Sequence, residues 1–198
     1  SAEQRIVHSA EMLDRKSLAS VGDTTGERLT ALLTETKAHT PEELAANVAR
    51  IGELLGRFAL YVPARFTDDP AEQAKYWAVR SGIFPAVGGS RPAGTTCLSE
   101  DVAFHIEDLP RATAELQALI ARHGYDACIY GHALEDNYHF IINQSFSPPA
   151  EVARYEALMN DVAELVSAGT TARSKPSMAR GATWRPSSAA SRATTPWP

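Results

Sequence analysis

The chain has 198 residues, 44% hydrophobic and 22% charged, with a formal net charge of −5. That length can bury a proper core as one domain with a tail. The acidic balance argues against nucleic acid as a partner, since a phosphate backbone needs clustered Lys and Arg. No apolar run reaches membrane-spanning length, and the first residues lack a charged-then-apolar leader pattern. Cys97 and Cys128 are too few for a disulfide scaffold, so the cytoplasm is the default location. The chain opens at Ser1 without Met, a few residues ahead of a helix-like stretch, as a fragment would.

In chain order, Ala31 to Lys37 runs from apolar into alternating residues and reads as a strand. Thr40-Pro41-Glu42-Glu43 then supplies an N-cap, a proline at the first helical position and acids in the first turn. Leu44, Val48, Ile51, Leu54 and Leu55 recur at helical spacing, which predicts a helix to about Leu55. Phe58 to Val62 reads as a second strand, ended by Pro63. Asp68-Asp69-Pro70-Ala71-Glu72 starts another helix, through Tyr76, Trp77 and Arg80 to about Ser81. A Gly- and Pro-rich loop follows from Pro85 to Gly94, long enough to be functional.

Leu98 to Ile106 is strand-like, and Leu109 to His123 is a helix with Leu116, Leu119 and Ile120 on one face, stopped by Gly124. A hairpin comes next: Cys128-Ile129-Tyr130 and Tyr138 to Ile142 are its strands, and Glu135-Asp136-Asn137 its turn. Pro148-Pro149-Ala150-Glu151 opens the last helix, which carries Val152, Tyr155, Leu158, Met159, Val162 and Leu165 on its apolar face. The order β-α-β-α-β-α-β-β-α, with short strands and varied connections, excludes a doubly wound parallel sheet. The expected class is α+β, a mixed or antiparallel sheet with helices packed on one face.

The hairpin carries the most chemistry. His132 and His139 bracket its turn, and closing it would hold both imidazoles at the same strand ends, where they could share a metal ion. Histidines flanking a turn are more often solvated or hydrogen-bonded than ligating, and a metal would need a third donor. From Ser167 the composition changes: Arg173, Lys175, Arg180, Arg185 and Arg192 stand among Ser, Thr, Ala and Pro with no acidic residue. That segment, 167–198, reads as a disordered basic tail. The part before it, 1–166, then carries 14 basic and 24 acidic residues.

Several segments together resemble the C-terminal cap domain of FAD-linked 2-hydroxy acid dehydrogenases. They are Phe66-Thr67-Asp68-Asp69-Pro70, Trp77 to Pro85, Glu100-Asp101-Val102-Ala103-Phe104 and the hairpin from Gly131 to His139. The family includes respiratory D-lactate dehydrogenases, the glycolate oxidase subunit and D-2-hydroxyglutarate dehydrogenase. The likeness covers Ile6 to Val166 and is nearest to the large D-lactate type. It implies a ferredoxin-like cap that closes over FAD held mainly by another domain.

The family motif G-H-x-G-D-G-N-L-H maps onto the hairpin, with Leu134 and Asp136 in place of the internal glycines and Tyr138 in place of Leu. By that resemblance His132 and His139 are ligands of a divalent metal, zinc by preference, and Asn137 lies beside the flavin. Arg80, of the W-x-x-R element, pairs with the substrate carboxylate, a task that suits a guanidinium fork. Without the resemblance, an exposed helix-end cation is the favoured reading of Arg80. Ser99 stands where some relatives carry a basic residue. The implied chemistry is hydride transfer from the α-carbon of a D-2-hydroxy acid to FAD, with the metal on the hydroxyl and carboxylate oxygens. The electron acceptor is left open, and the full-length enzyme is expected in the cytoplasm or peripherally at the inner face of the membrane.

The family continues into a Glu-His-Gly motif that supplies a third metal ligand and the base, and this motif is absent after Val166. The codons of Thr170 to Pro186 can be chosen so that reading one base earlier, from the T of a GGT codon for Gly169, gives a different peptide. It is Tyr-Asp-Gly-Ser-Leu-Lys-Ala-Glu-His-Gly-Thr-Gly-Arg-Asn-Met-Ala-Pro, which contains the missing motif. The tail is accordingly read as a frameshift product and the fragment as inactive alone, with no catalytic residue of its own. Two other classes are carried beside this one: a stand-alone metal- or ligand-binding α+β module, and a chain whose basic tail is an interaction arm.

Overall fold

The computed structural model describes residues 6–23, 29–135 and 137–171. Its centre is one antiparallel sheet of five strands in the order β2-β1-β4-β5-β3: β1 (Ser9–Leu13), β2 (Ala31–Glu35), β3 (Thr96–Ala103), β4 (Cys128–His132) and β5 (Asn137–Gln144). Five helices accompany it: α1 (Arg15–Ser20), α2 (Pro41–Leu55), α3 (Pro70–Gly89), α4 (Leu109–Arg122) and α5 (Pro149–Thr171). The α+β class and the antiparallel sheet are as expected.

Period-two alternation divides the sheet residues between two faces. Met12, Ile129, Tyr138, Phe140 and Ile142 meet Leu116, Ile120, Leu158 and Val162 of α4 and α5 in the larger core. Phe140, Ile142, Leu116 and Leu158 are completely buried, each contributing about 1.5–3 kcal/mol of transfer free energy. The opposite face carries Leu13, Cys128 and Ile141, packed by Leu18 of α1 and Ile83 of α3. Helices therefore lie on both faces, not one. The second layer covers only the apolar end of its face, and the rest of that face is polar.

Three local expectations change. The opening stretch is a strand, because Glu11, Met12 and Leu13 gain ladder partners on both sides, from β2 and β4, which outweighs their helix propensity. Asp14 then caps the short helix α1 by accepting from Ser17 N–H at 2.8 Å. Phe58 to Val62 is not a strand; Phe58, Tyr61 and Val62 are exposed, and the sheet edges are held by β2 and β3. The supposed loop from Pro85 is helical to Gly89, with Pro85 inside α3. Packing of Ile83 and Val87 against the second core holds the chain helical through a proline that removes one ladder donor.

The caps at Thr40 and Asp69 are present, each accepting a backbone N–H of the first turn. The last helix runs to Thr171, five residues beyond the expected boundary at 166. Of the tail from 167, residues 172–198 lie outside the described residues, as does Asp136 in the hairpin turn.

Candidate active site

Strand register assembles the polar patch. Glu11 on β1 stands opposite His132 on β4. Tyr130 stands opposite His139 on β5, and His139 opposite Asp101 on β3. All five share the face of Leu13, Cys128 and Ile141, past the end that α1 covers. Helix α3 crosses there and adds Arg80.

Glu11 is 3% exposed. One of its carboxylate oxygens, Oε2, accepts from Arg80 Nε at 3.1 Å, and the other, Oε1, contacts His132 Nδ1. The Arg80 guanidinium also lies over the Tyr130 ring, 5.2 Å from its centroid. His139 Nδ1 contacts Asp101 Oδ1, and its ring lies 5.2 Å from that of Tyr130. The two imidazole rings are 5.7 Å apart, nearly perpendicular at 81°. Burial pushes the Tyr130 phenol above its ordinary pKa, opposed by the nearby Arg80 charge.

An open depression of about 700 Å³ lies over this patch, lined by Glu11, Trp77, Arg80, Ser81 and His132. Arg80 Nη1 and Nη2 have no partner among the described residues. The guanidinium thus offers an unused two-pronged edge beside an imidazole, the chemistry for holding a carboxylate.

The expected site residues converge in part. Arg80 and His132 line the same depression, and His139 stacks edge-on against His132. Asn137 opens β5 opposite His132, and its Oδ1 is buried with no hydrogen-bond partner among the described residues. Such an orphaned acceptor could take a donor from a bound group.

The donor set fits a metal incompletely. Each imidazole has Nδ1 on a carboxylate, the arrangement that steadies ligating histidines and leaves Nε2 for an ion. No group of three or more His, Cys, Asp or Glu suited to a metal occurs among the described residues.

Sequence reasoning missed Glu11, which lay in a stretch read as helix-like, and gave no role to Tyr130 or Asp101. The one available signal was an acid centred in the apolar run Ala10 to Leu13, which on a strand must face either water or a buried cation.

Comparison with known sequences decides the family. Residues 1–170 match the profile described as FAD linked oxidases, C-terminal domain. The chain belongs to that family. It is therefore a domain of an FAD-dependent oxidoreductase family, and the face just described is the polar surface of an FAD-linked oxidase C-terminal domain. No curated protein matches the sequence. Among solved structures it is similar to 4-ethylphenol oxidase from Gulosibacter chungangensis in its isoeugenol complex, at 13% identity and a TM-score of 0.48. The match covers 83% of this chain and 38% of that one, so this domain spans well under half of that oxidase. Among the described residues no helix of the domain is long and apolar enough to cross a membrane.

Proposed function

We propose that this face is the substrate side of an FAD-dependent dehydrogenase of D-2-hydroxy acids, with D-lactate the foremost substrate. The observation that carries the reading is the Nη1/Nη2 edge of Arg80, which has no partner among the described residues, beside His132 on the rim of the depression. A guanidinium already balanced by a buried carboxylate, and braced on an aromatic ring, is set to receive one further carboxylate bidentately. Bound FAD would supply the acceptor for the hydride leaving the substrate α-carbon.

His132 and His139 are the residues that would hold a divalent ion, zinc by preference, through Nε2, and such an ion would polarise the substrate hydroxyl. The Glu11 and Asp101 carboxylates take Nδ1 of each ring, which leaves Nε2 for that role. Asn137 would meet the flavin through its unsatisfied Oδ1. The hydroxyl proton would pass to the histidine of the Glu-His-Gly motif carried by the alternative frame.

The family match ends at residue 170, where the alternative reading begins, and that reading would bring a third donor and a base. The test is to restore both the upstream frame that carries the FAD domain and this downstream frame, express the resulting flavoprotein and add D-lactate under anaerobic conditions. Loss of the oxidised flavin absorbance is expected. A flavoprotein that stays oxidised with D-lactate, glycolate and D-2-hydroxyglutarate would rule the proposal out.

A further inference from the structure

The geometry points to Glu11 as a positioning residue that sets both ends of the site at once. The inference rests on the 2-hydroxy acid reading and extends it to a residue outside the recognised motifs. Glu11 is a charged residue in the middle of β1, 3% exposed, and its two oxygens are divided between partners on different elements. Oε2 takes the Nε–H of Arg80 from α3, and Oε1 takes Nδ1 of His132 on β4.

Each contact has a directional consequence. A carboxylate only accepts, so Nδ1 of His132 carries a proton, and in the neutral ring it is Nε2 that keeps the lone pair. A guanidinium whose Nε is taken presents its Nη1/Nη2 edge, which matches one carboxylate in two parallel bonds. A single buried acid thereby aims the substrate-holding fork and chooses the ring nitrogen available beside it. Gln could not do both, because its amide has one accepting end and one donating end.

The test uses the full 198-residue chain, labelled with 15N in His and Arg side chains, without metal or flavin. Long-range 1H–15N correlation reads which His132 nitrogen carries the proton. Exchange of the Arg80 Nε–H with water reads whether that donor is held. In the wild type, His132 is expected to be protonated on Nδ1, and Arg80 Nε–H to exchange about 10-fold more slowly than that of exposed Arg50. Glu11→Ala should lose both signatures, and Glu11→Gln at least one, with D-lactate binding at the Arg80 signals weakened about 10-fold where the fork is released.

An Nε2–H tautomer in the wild type overturns the inference without any variant. Retention of both signatures in Glu11→Gln overturns it equally. If Glu11→Ala fails to fold, as the Phe140 and Ile142 amide signals would reveal, Glu11→Gln carries the comparison. Absence of any D-lactate response while both wild-type signatures are present counts against the substrate reading and leaves the anchoring in place.

Discussion

His132 and His139 lie edge to face, their ring centroids 5.7 Å apart, on neighbouring strands and diagonally across the ladder. Each ring is held from behind by a carboxylate from a third or fourth strand, Glu11 of β1 and Asp101 of β3. The pair is thus positioned by sheet register, with the hairpin turn setting only how β4 and β5 meet.

On the proposed reading, that support would make Asp101 a lever on metal affinity. Zinc titration of the purified chain, followed calorimetrically, should show weak binding that His132→Ala or His139→Ala removes. Asp101→Asn should weaken it by about 10-fold, because an outer carboxylate orients the ligating ring and raises its basicity. Unchanged affinity in Asp101→Asn would mean that the contact has no bearing on Nε2.

Arg80 carries the substrate prediction. Arg80→Leu in the frame-restored flavoprotein should raise KM for D-lactate by about 10- to 100-fold, the loss of charge-assisted bonds of about 1.5–3 kcal/mol. Arg80→Lys should recover only part, because an ammonium cannot offer the fork. Steady-state kinetics with flavin absorbance as a check on folding would decide the matter, and an unaltered KM in Arg80→Leu would remove it from the substrate site.

Gly131 is required by the close packing of β4 on β5. Its φ is +156°, and a Cβ there would stand 2.5 Å from Asn137 O and 2.8 Å from Tyr138 Cα. Both obstacles are backbone, so neither can swing away. Gly131→Ala should cost about 1–3 kcal/mol in urea unfolding, in the range of other overpacking substitutions, and should disturb the His132–His139 spacing. A stability equal to the wild type would show that the strands separate more easily than this geometry implies.

Asp14 should be a stability cost at neutral pH. Burial raises its pKa above the ordinary aspartate value of 3.8, against the lowering effect of the bond from Ser17. The folded chain then holds the proton at pH values where the unfolded chain has released it. Its stability contribution falls as pH rises from 3.8 through the folded-state pKa, and the full penalty persists above. Asn can cap α1 equally well, so Asp14→Asn should melt higher than the wild type at pH 7. The advantage should vanish below pH 3.8, and thermal melts at the two pH values test the sign.

Much of the fold was legible because its signals are local. Thr40-Pro41 and Asp69-Pro70 cap and start helices by bonds that span only a turn, and Leu116, Leu119 and Ile120 mark their helix face by spacing alone. The hairpin around His132 and His139 was readable because apolar runs flank turn residues. The errors fell where distant partners outvote local preference. Ser9–Leu13 has helix-forming residues but is claimed by two strands, whereas Phe58 to Val62 has strand-forming residues and pairs with no strand among the described residues. Pro85 reads as a stop, yet Ile83 and Val87 tie both sides of it to one core.

The candidate site divides the same way. The sequence by itself determined the residue types: two imidazoles, a guanidinium and an amide, each in a recognisable segment. Only the tertiary structure decided their company. Glu11 is 121 residues from His132 and 69 from Arg80 along the chain, so nothing local could tell that one carboxylate serves both. Strand order places β1 beside β4 and brings α3 over their polar end, and that is a consequence of which apolar faces must be buried together.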